Sequence, residues 1–160
     1  MDRRLTVRPG TADDDAALLA LDTGEPGTGL PSVFAGRRST FFGSSLPADT
    51  LVALVDRTLV GYVSLTHPTP LPENAHVTAV DGFTVARTWR REGVGRALLA
   101  AAVDEARRRG SRKVSLRVLS TNERARRVYA AAGFVVEGVL RDEFVIDGHP
   151  VDDVLMAMAL

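Results

Sequence analysis

The run Arg90-Arg91-Glu92-Gly93-Val94-Gly95-Arg96 places three guanidinium groups around two glycines. An apolar stretch, 79–86, precedes it and an amphipathic stretch, 94–109, follows it. The order reads as a strand, a basic glycine-rich turn and a helix start. The first turn of a helix leaves backbone N–H groups unpaired at the positive end of the macrodipole. Glycine lets a ligand approach the main chain closely, and arginine adds forked cationic donors. The chemistry such a turn supports is the grip of a pyrophosphate. A tight turn is the plainer reading of the glycines; the arginines grouped around them favour a ligand. Two nucleotide motifs are excluded. No Gly-Lys-Ser/Thr follows the glycines, as a phosphate loop requires. Leu98 stands where the dinucleotide fingerprint needs its third glycine.

Charge is distributed in the same sense. Lys and Arg balance Asp and Glu overall, yet 86–130 holds 13 basic and 4 acidic residues, and the remainder 7 and 16. Segregation of this kind implies an anionic ligand on one part of the surface. Arg107, Arg108, Arg109 and Arg112 read as a solvated helix face. A zero net charge and the lack of a DNA-binding motif argue against nucleic acid as a partner. There is no cysteine, which removes disulfides, thiol catalysis and cysteine metal sites. His67, His76 and His149 are too scattered to be metal ligands, so no metal is expected. No apolar run reaches the roughly 18 residues of a membrane span, and the first residues lack a signal-peptide core. The expectation is a cytoplasmic protein that does not engage a membrane. A length of 160 residues, 45% apolar and 25% charged, fits one domain over 1–160.

The elements that must position the basic turn follow from periodicity. Leu5–Arg8 reads as a strand, and Thr11–Asp14 as a capping-box-like start to a helix through Leu21. Residues 25–47, rich in Gly, Pro and Ser, read as a partly helical excursion anchored by Val33, Phe34, Phe41 and Phe42. Leu51–Val55 and Leu59–Leu65 flank Asp56-Arg57 as a hairpin. His76–Val85 reads as the central strand. Val94–Arg109 is a helix with Val94, Ala97, Leu98, Ala101, Ala102 and Ala106 on one face, closed by Gly110. Lys113–Leu119 is a strand and Asn122–Ala132 a helix with Gly133 at its end. Phe134–Leu140 and Phe144–Leu160 read as closing strands, with Asp147-Gly148 a hairpin turn. A strand–helix–strand unit inside an otherwise antiparallel sheet is an α+β arrangement.

These residues carry a resemblance. Arg90-x-x-Gly93-x-Gly95 is similar to the acyl-CoA motif of the GNAT superfamily of N-acetyltransferases. A second signature of that superfamily, an Asn-x-x-Ala-x-x-x-Tyr helix before Gly-Phe, is matched by Asn122, Ala125, Tyr129 and Gly133-Phe134. The tail from Glu137-Gly138 to Met156 resembles members that acetylate amino acids, polyamines and protein N-termini.

The resemblance implies the acyl-CoA N-acyltransferase fold: a mixed, mostly antiparallel sheet of about seven strands flanked by about four helices. It implies acetyl-CoA as cosubstrate, a primary amine as acceptor, and leaves a homodimer open. The pyrophosphate would lie on Arg90, Arg91, Glu92, Gly93, Val94, Gly95 and Arg96. A bulge in the central strand would free the backbone of Phe83, Thr84 and Val85 for the pantetheine arm and the thioester carbonyl. Asn122 would bond that arm, unless it serves only as a helix cap. Tyr129 would lie near the sulfur, where a phenol can protonate a departing thiolate. The base stays open among Asp81, Glu137, His76 and a chain of waters. The acids Glu25, Asp142, Glu143, Asp147, Asp152 and Asp153 would suit a cationic acceptor. With no cysteine, transfer would be direct. A non-catalytic acyl-CoA-binding module is the alternative, since fold does not fix function.

Overall fold

Asp56 and Arg57 take φ values of 48° and 72°, as a two-residue turn matched to strand twist requires. They join β2 (Thr50–Val55) to β3 (Thr58–Thr66), and β1 (Leu5–Pro9) lies antiparallel along β2. The computed structural model describes residues 3–24 and 39–160. Within them β4 (Val77–Val85), β5 (Lys113–Leu119), β6 (Val135–Ile146) and β7 (His149–Ala159) complete a seven-stranded sheet ordered β1-β2-β3-β4-β5-β7-β6. β4 and β5 are parallel neighbours, and the other pairs are antiparallel. Parallel neighbours need a crossover; α2 (Val94–Arg108) lies on it. α1 (Asp15–Gly24) and α3 (Glu123–Ala131) complete the three α-helices of the described residues. The fold is α+β, as the residue pattern led us to expect. Most of the excursion, including Val33 and Phe34, lies outside the described residues.

α2 and α3 pack on one face of the sheet. Val94, Leu98, Leu99, Ala102, Val103 and Ala106 are buried at helical spacing, most of them against Val63, Val80, Val114, Leu116 and Met156. The buried face is wider than the alanine-rich stripe expected, because it includes Leu99 and Val103. α1 covers the other face, where Leu18 meets Phe42, Val52 and Tyr62. Its entry is fixed by Asp14, which accepts from the Thr11 N–H at 2.8 Å and from Arg8 at 2.7 and 2.9 Å.

α2 and α3 end in the same way. Ser111 N–H donates to Ala106 and Gly110 N–H to Arg107; Phe134 N–H donates to Tyr129 and Gly133 N–H to Ala130. Gly110 and Gly133 sit at φ 82° and 102°, the left-handed residue of a Schellman close. At α3 that close also sets Phe134 against Tyr129, ring centroids 6.1 Å apart.

β6 runs further than the residue pattern indicated. Residues 141–146 belong to it, and the next strand starts at His149. Arg141, Asp142 and Glu143 bulge out opposite Asp152, whose carboxylate accepts from Asp142 N–H at 2.9 Å and Arg141 at 3.0 Å. Three charged residues in a row hide the continuity of a strand.

Two irregularities of β4 shape the molecule. Ser64 faces Gly82 while Leu65 faces Val80, so Asp81 is an extra residue in the strand. Beyond that bulge β4 leaves its parallel neighbour. It pairs with β5 only over Val77–Val80, whereas β5 continues along β7 to Leu119.

Candidate active site

The gap opened by β4 is continuous with a cleft of about 830 Å³ between α2 and α3. Its strand wall is Phe83, Thr84 and Val85; Arg90, Arg91, Gly93, Gly95 and Arg96 line one end, and Asn122, Ala125, Tyr129 and Ala132 the α3 wall.

The strand wall carries exposed main-chain groups. Ala86 N–H donates to the Val60 carbonyl, and backbone direction alternates along a strand. Thr84 therefore points to β3, while Phe83 and Val85 point into the gap. Arg90 Nε donates to the Val85 carbonyl at 3.0 Å. The Phe83 N–H and C=O and the Val85 N–H remain for a ligand that adds itself as a strand.

At the turn, Arg91 and Gly93 take φ values of 69° and 81°. Left-handed residues set among right-handed ones bring successive N–H groups to one side. Gly93 is the N-cap of α2 and has no side chain to cap it. The first helical bond runs from Ala97 N–H to the Gly93 carbonyl, so the N–H groups of Val94, Gly95 and Arg96 stand open. Gly95 has a separate reason: a Cβ there would meet the Phe83 ring at 3.2 Å. The space it provides is for a neighbouring ring as much as for a ligand.

Asn122 caps α3 by accepting from Ala125 N–H at 3.1 Å, and it also lines the cleft. Its oxygen is occupied while its amide N–H groups remain to donate, so capping and ligand contact are compatible. Tyr129 is 6% exposed, packed on Phe83 and Phe134. Burial pushes its phenol up to about 12.

Not every residue singled out lines this cleft. Val94 points into the core at 2% exposure and offers only its backbone. Glu92 lies outside the lining. Asp81 stands exposed on the bulge, also outside it. Glu137 pairs with Lys113 at 2.9 Å on the sheet, and His76 precedes β4 outside the lining. The acids proposed for a cationic acceptor are largely committed: Asp152 to Arg141, Asp153 to Arg117, and Glu143 to Arg117 at 3.8 Å. Glu25 lies outside the described residues.

Several lining residues escaped the motif reading, Arg124 on α3 among them. Partial desolvation, then the charges of Arg90 and Arg91, hold its guanidinium below the ordinary arginine value. Arg107 lines the cleft too, paired with Asp104 at 3.3 Å, so it is not merely the solvated residue its spacing indicated.

The family model described as Acetyltransferase (GNAT) family matches residues 30–134. The chain belongs to the GNAT family. Solved structures superpose on nearly its whole length. The Streptococcus mutans protein smu.2055 is 27% identical with a TM-score of 0.85, covering 96% of this chain and 98% of that one. A GCN5-related N-acetyltransferase from Kribbella flavida is 28% identical, TM-score 0.77, with 98% of each chain covered. The Salmonella typhimurium protein yncA, solved with its cofactor acetyl-CoA, shares the fold at 20% identity and a TM-score of 0.78, over 98% and 94%. None of the curated proteins matches the chain. No helix of this GNAT protein, among the described residues, is long and apolar enough to cross a membrane.

Proposed function

We propose that the protein transfers an acetyl group from acetyl-CoA to a primary amine by direct attack in a ternary complex. The observation that carries this is one continuous cleft. At one end is an uncapped helix start among arginines. At its middle is a strand edge with open amides. Beside these lies a buried tyrosine.

In this reading the N–H groups of Val94, Gly95 and Arg96, with Arg91 and Arg96, hold the diphosphate. Phe83 and Val85 bond the pantetheine arm as a neighbouring strand would, and Asn122 donates its amide to it. The acceptor approaches through the gap between β4 and β5. Its nitrogen forms a bond to the thioester carbon, the carbon–sulfur bond breaks, the Tyr129 hydroxyl gives its proton to the leaving thiolate, and the phenolate regains one from the acylated nitrogen through water. A main-chain N–H of β4 polarises the carbonyl. The ammonium proton leaves through water, with Asp81 on the bulge as the carboxylate offered to that path. Asp81→Asn is then expected to lower kcat/KM; an unchanged value assigns the step to water alone.

The test is a panel of amino acids, polyamines and peptides with free N-termini, each given acetyl-CoA at fixed concentration while released thiol is measured. Amine-dependent thiol release is expected. A CoA-dependent rise in melting temperature with no thiol from any amine points to the non-catalytic binding module instead.

A further inference from the structure

We propose that Arg124 forms a second anion seat, across the cleft from the α2 turn, that takes the 3′-phosphate of coenzyme A and so makes the site discriminate against coenzymes lacking it. This rests on the acetyl-CoA reading and deepens it.

The argument is one of charge and placement. Five arginines line the cleft (Arg90, Arg91, Arg96, Arg107 and Arg124) against a single carboxylate, Asp104, which pairs with Arg107. Among the described residues no carboxylate pairs with Arg91, Arg96 or Arg124. A diphosphate diester brings about two negative charges and can be met at the turn by backbone N–H groups together with Arg91 and Arg96. Arg124 is then a cation beyond the diphosphate's need, held on a different element, with its charge repelled by Arg90 and Arg91. A terminal phosphate adds close to two further charges and three acceptor oxygens. Seated at Arg124 it turns that repulsion into attraction. The neighbouring cations of α3 do not serve the same purpose. Arg127 pairs with Glu123 at 3.0 Å, and Arg126 donates to the Ser120 carbonyl at 3.4 Å; neither lines the cleft.

The experiment compares binding of CoA and 3′-dephospho-CoA by calorimetry to the wild-type protein, Arg124→Gln and the same-helix control Arg127→Gln, each checked for an unchanged melting temperature. Losing a charge-assisted contact predicts that wild type prefers CoA by about tenfold or more. Arg124→Gln should weaken CoA and leave dephospho-CoA nearly untouched, closing the gap, while Arg127→Gln keeps it. If wild type binds both coenzymes equally, or if Arg124→Gln weakens both by one factor, the seat is wrong while the acetyl-CoA reading stands. If wild type binds neither, the acetyl-CoA reading itself fails.

Discussion

Tyr129 carries the heaviest chemical burden of any single residue in the proposal. Its phenol stays protonated across any working pH, because burial pushes it up to about 12. It is therefore always a donor. Tyr129→Phe should lower kcat by about a hundredfold and leave CoA affinity intact; equal loss in both would make the ring a packing element only. The same shift has a thermodynamic side. In the unfolded chain the phenol ionises near pH 10, whereas the folded one resists to about 12. Its contribution is thus complete below pH 10 and is lost as pH climbs from there towards 12, by up to about 2–3 kcal/mol. Denaturant titrations at about pH 9 and pH 11 should show a steeper loss for wild type than for Tyr129→Phe. At the acid end Asp14 behaves in the opposite sense. The hydrogen bonds from Arg8, followed by those from Thr11, hold its carboxyl below the usual range. Its contribution is present above the ordinary carboxylate pKa and fades as pH falls through the depressed one.

Among elements, α3 shows how a helix close becomes part of a site. Gly133 permits the turn that lays Phe134 on Tyr129. A Cβ there would be strained at φ 102° and would meet Met158 Cε at 3.2 Å. Gly133→Ala should cost about 1 kcal/mol, a fall of about 2–4 °C in melting temperature, and should reduce turnover more than CoA binding. Gly93→Ala meets no atom, so its cost is conformational and falls on the pyrophosphate turn. An unchanged CoA affinity in that variant would argue against the turn as the anion site. These elements were legible because a glycine in a left-handed position announces itself between periodic runs. Arg124 was not, since Glu123–Arg127 reads locally as a solvated charged face; only the placement of α3 across the cleft from α2 makes one of those arginines a lining residue. The ion pair of Glu137 was hidden for the converse reason. Its place after the tyrosine helix offered it to the acceptor side, and the register of β6 gave it Lys113 instead.

For the molecule as a whole, five of the twelve arginines in 86–130 line one cleft that holds a single carboxylate. Coenzyme binding should consequently weaken several-fold when ionic strength rises from about 0.05 to 0.5 M, as the screening length contracts to a few ångström. An affinity indifferent to salt would leave the charge distribution without a role. The strands were legible from their residues, whereas the parting of the sheet came only from the family resemblance: no residue type marks where β4 abandons β5. That parting makes the protein two half-sheets stitched along one short seam, Val77–Val80 against Lys113–Leu116. A coenzyme arm laid along Phe83 and Val85 would lengthen the stitching from outside the chain. Substrate would then act as a rivet, and the amides of those two residues, quick to exchange hydrogen in the empty protein, would fall silent when it is driven home.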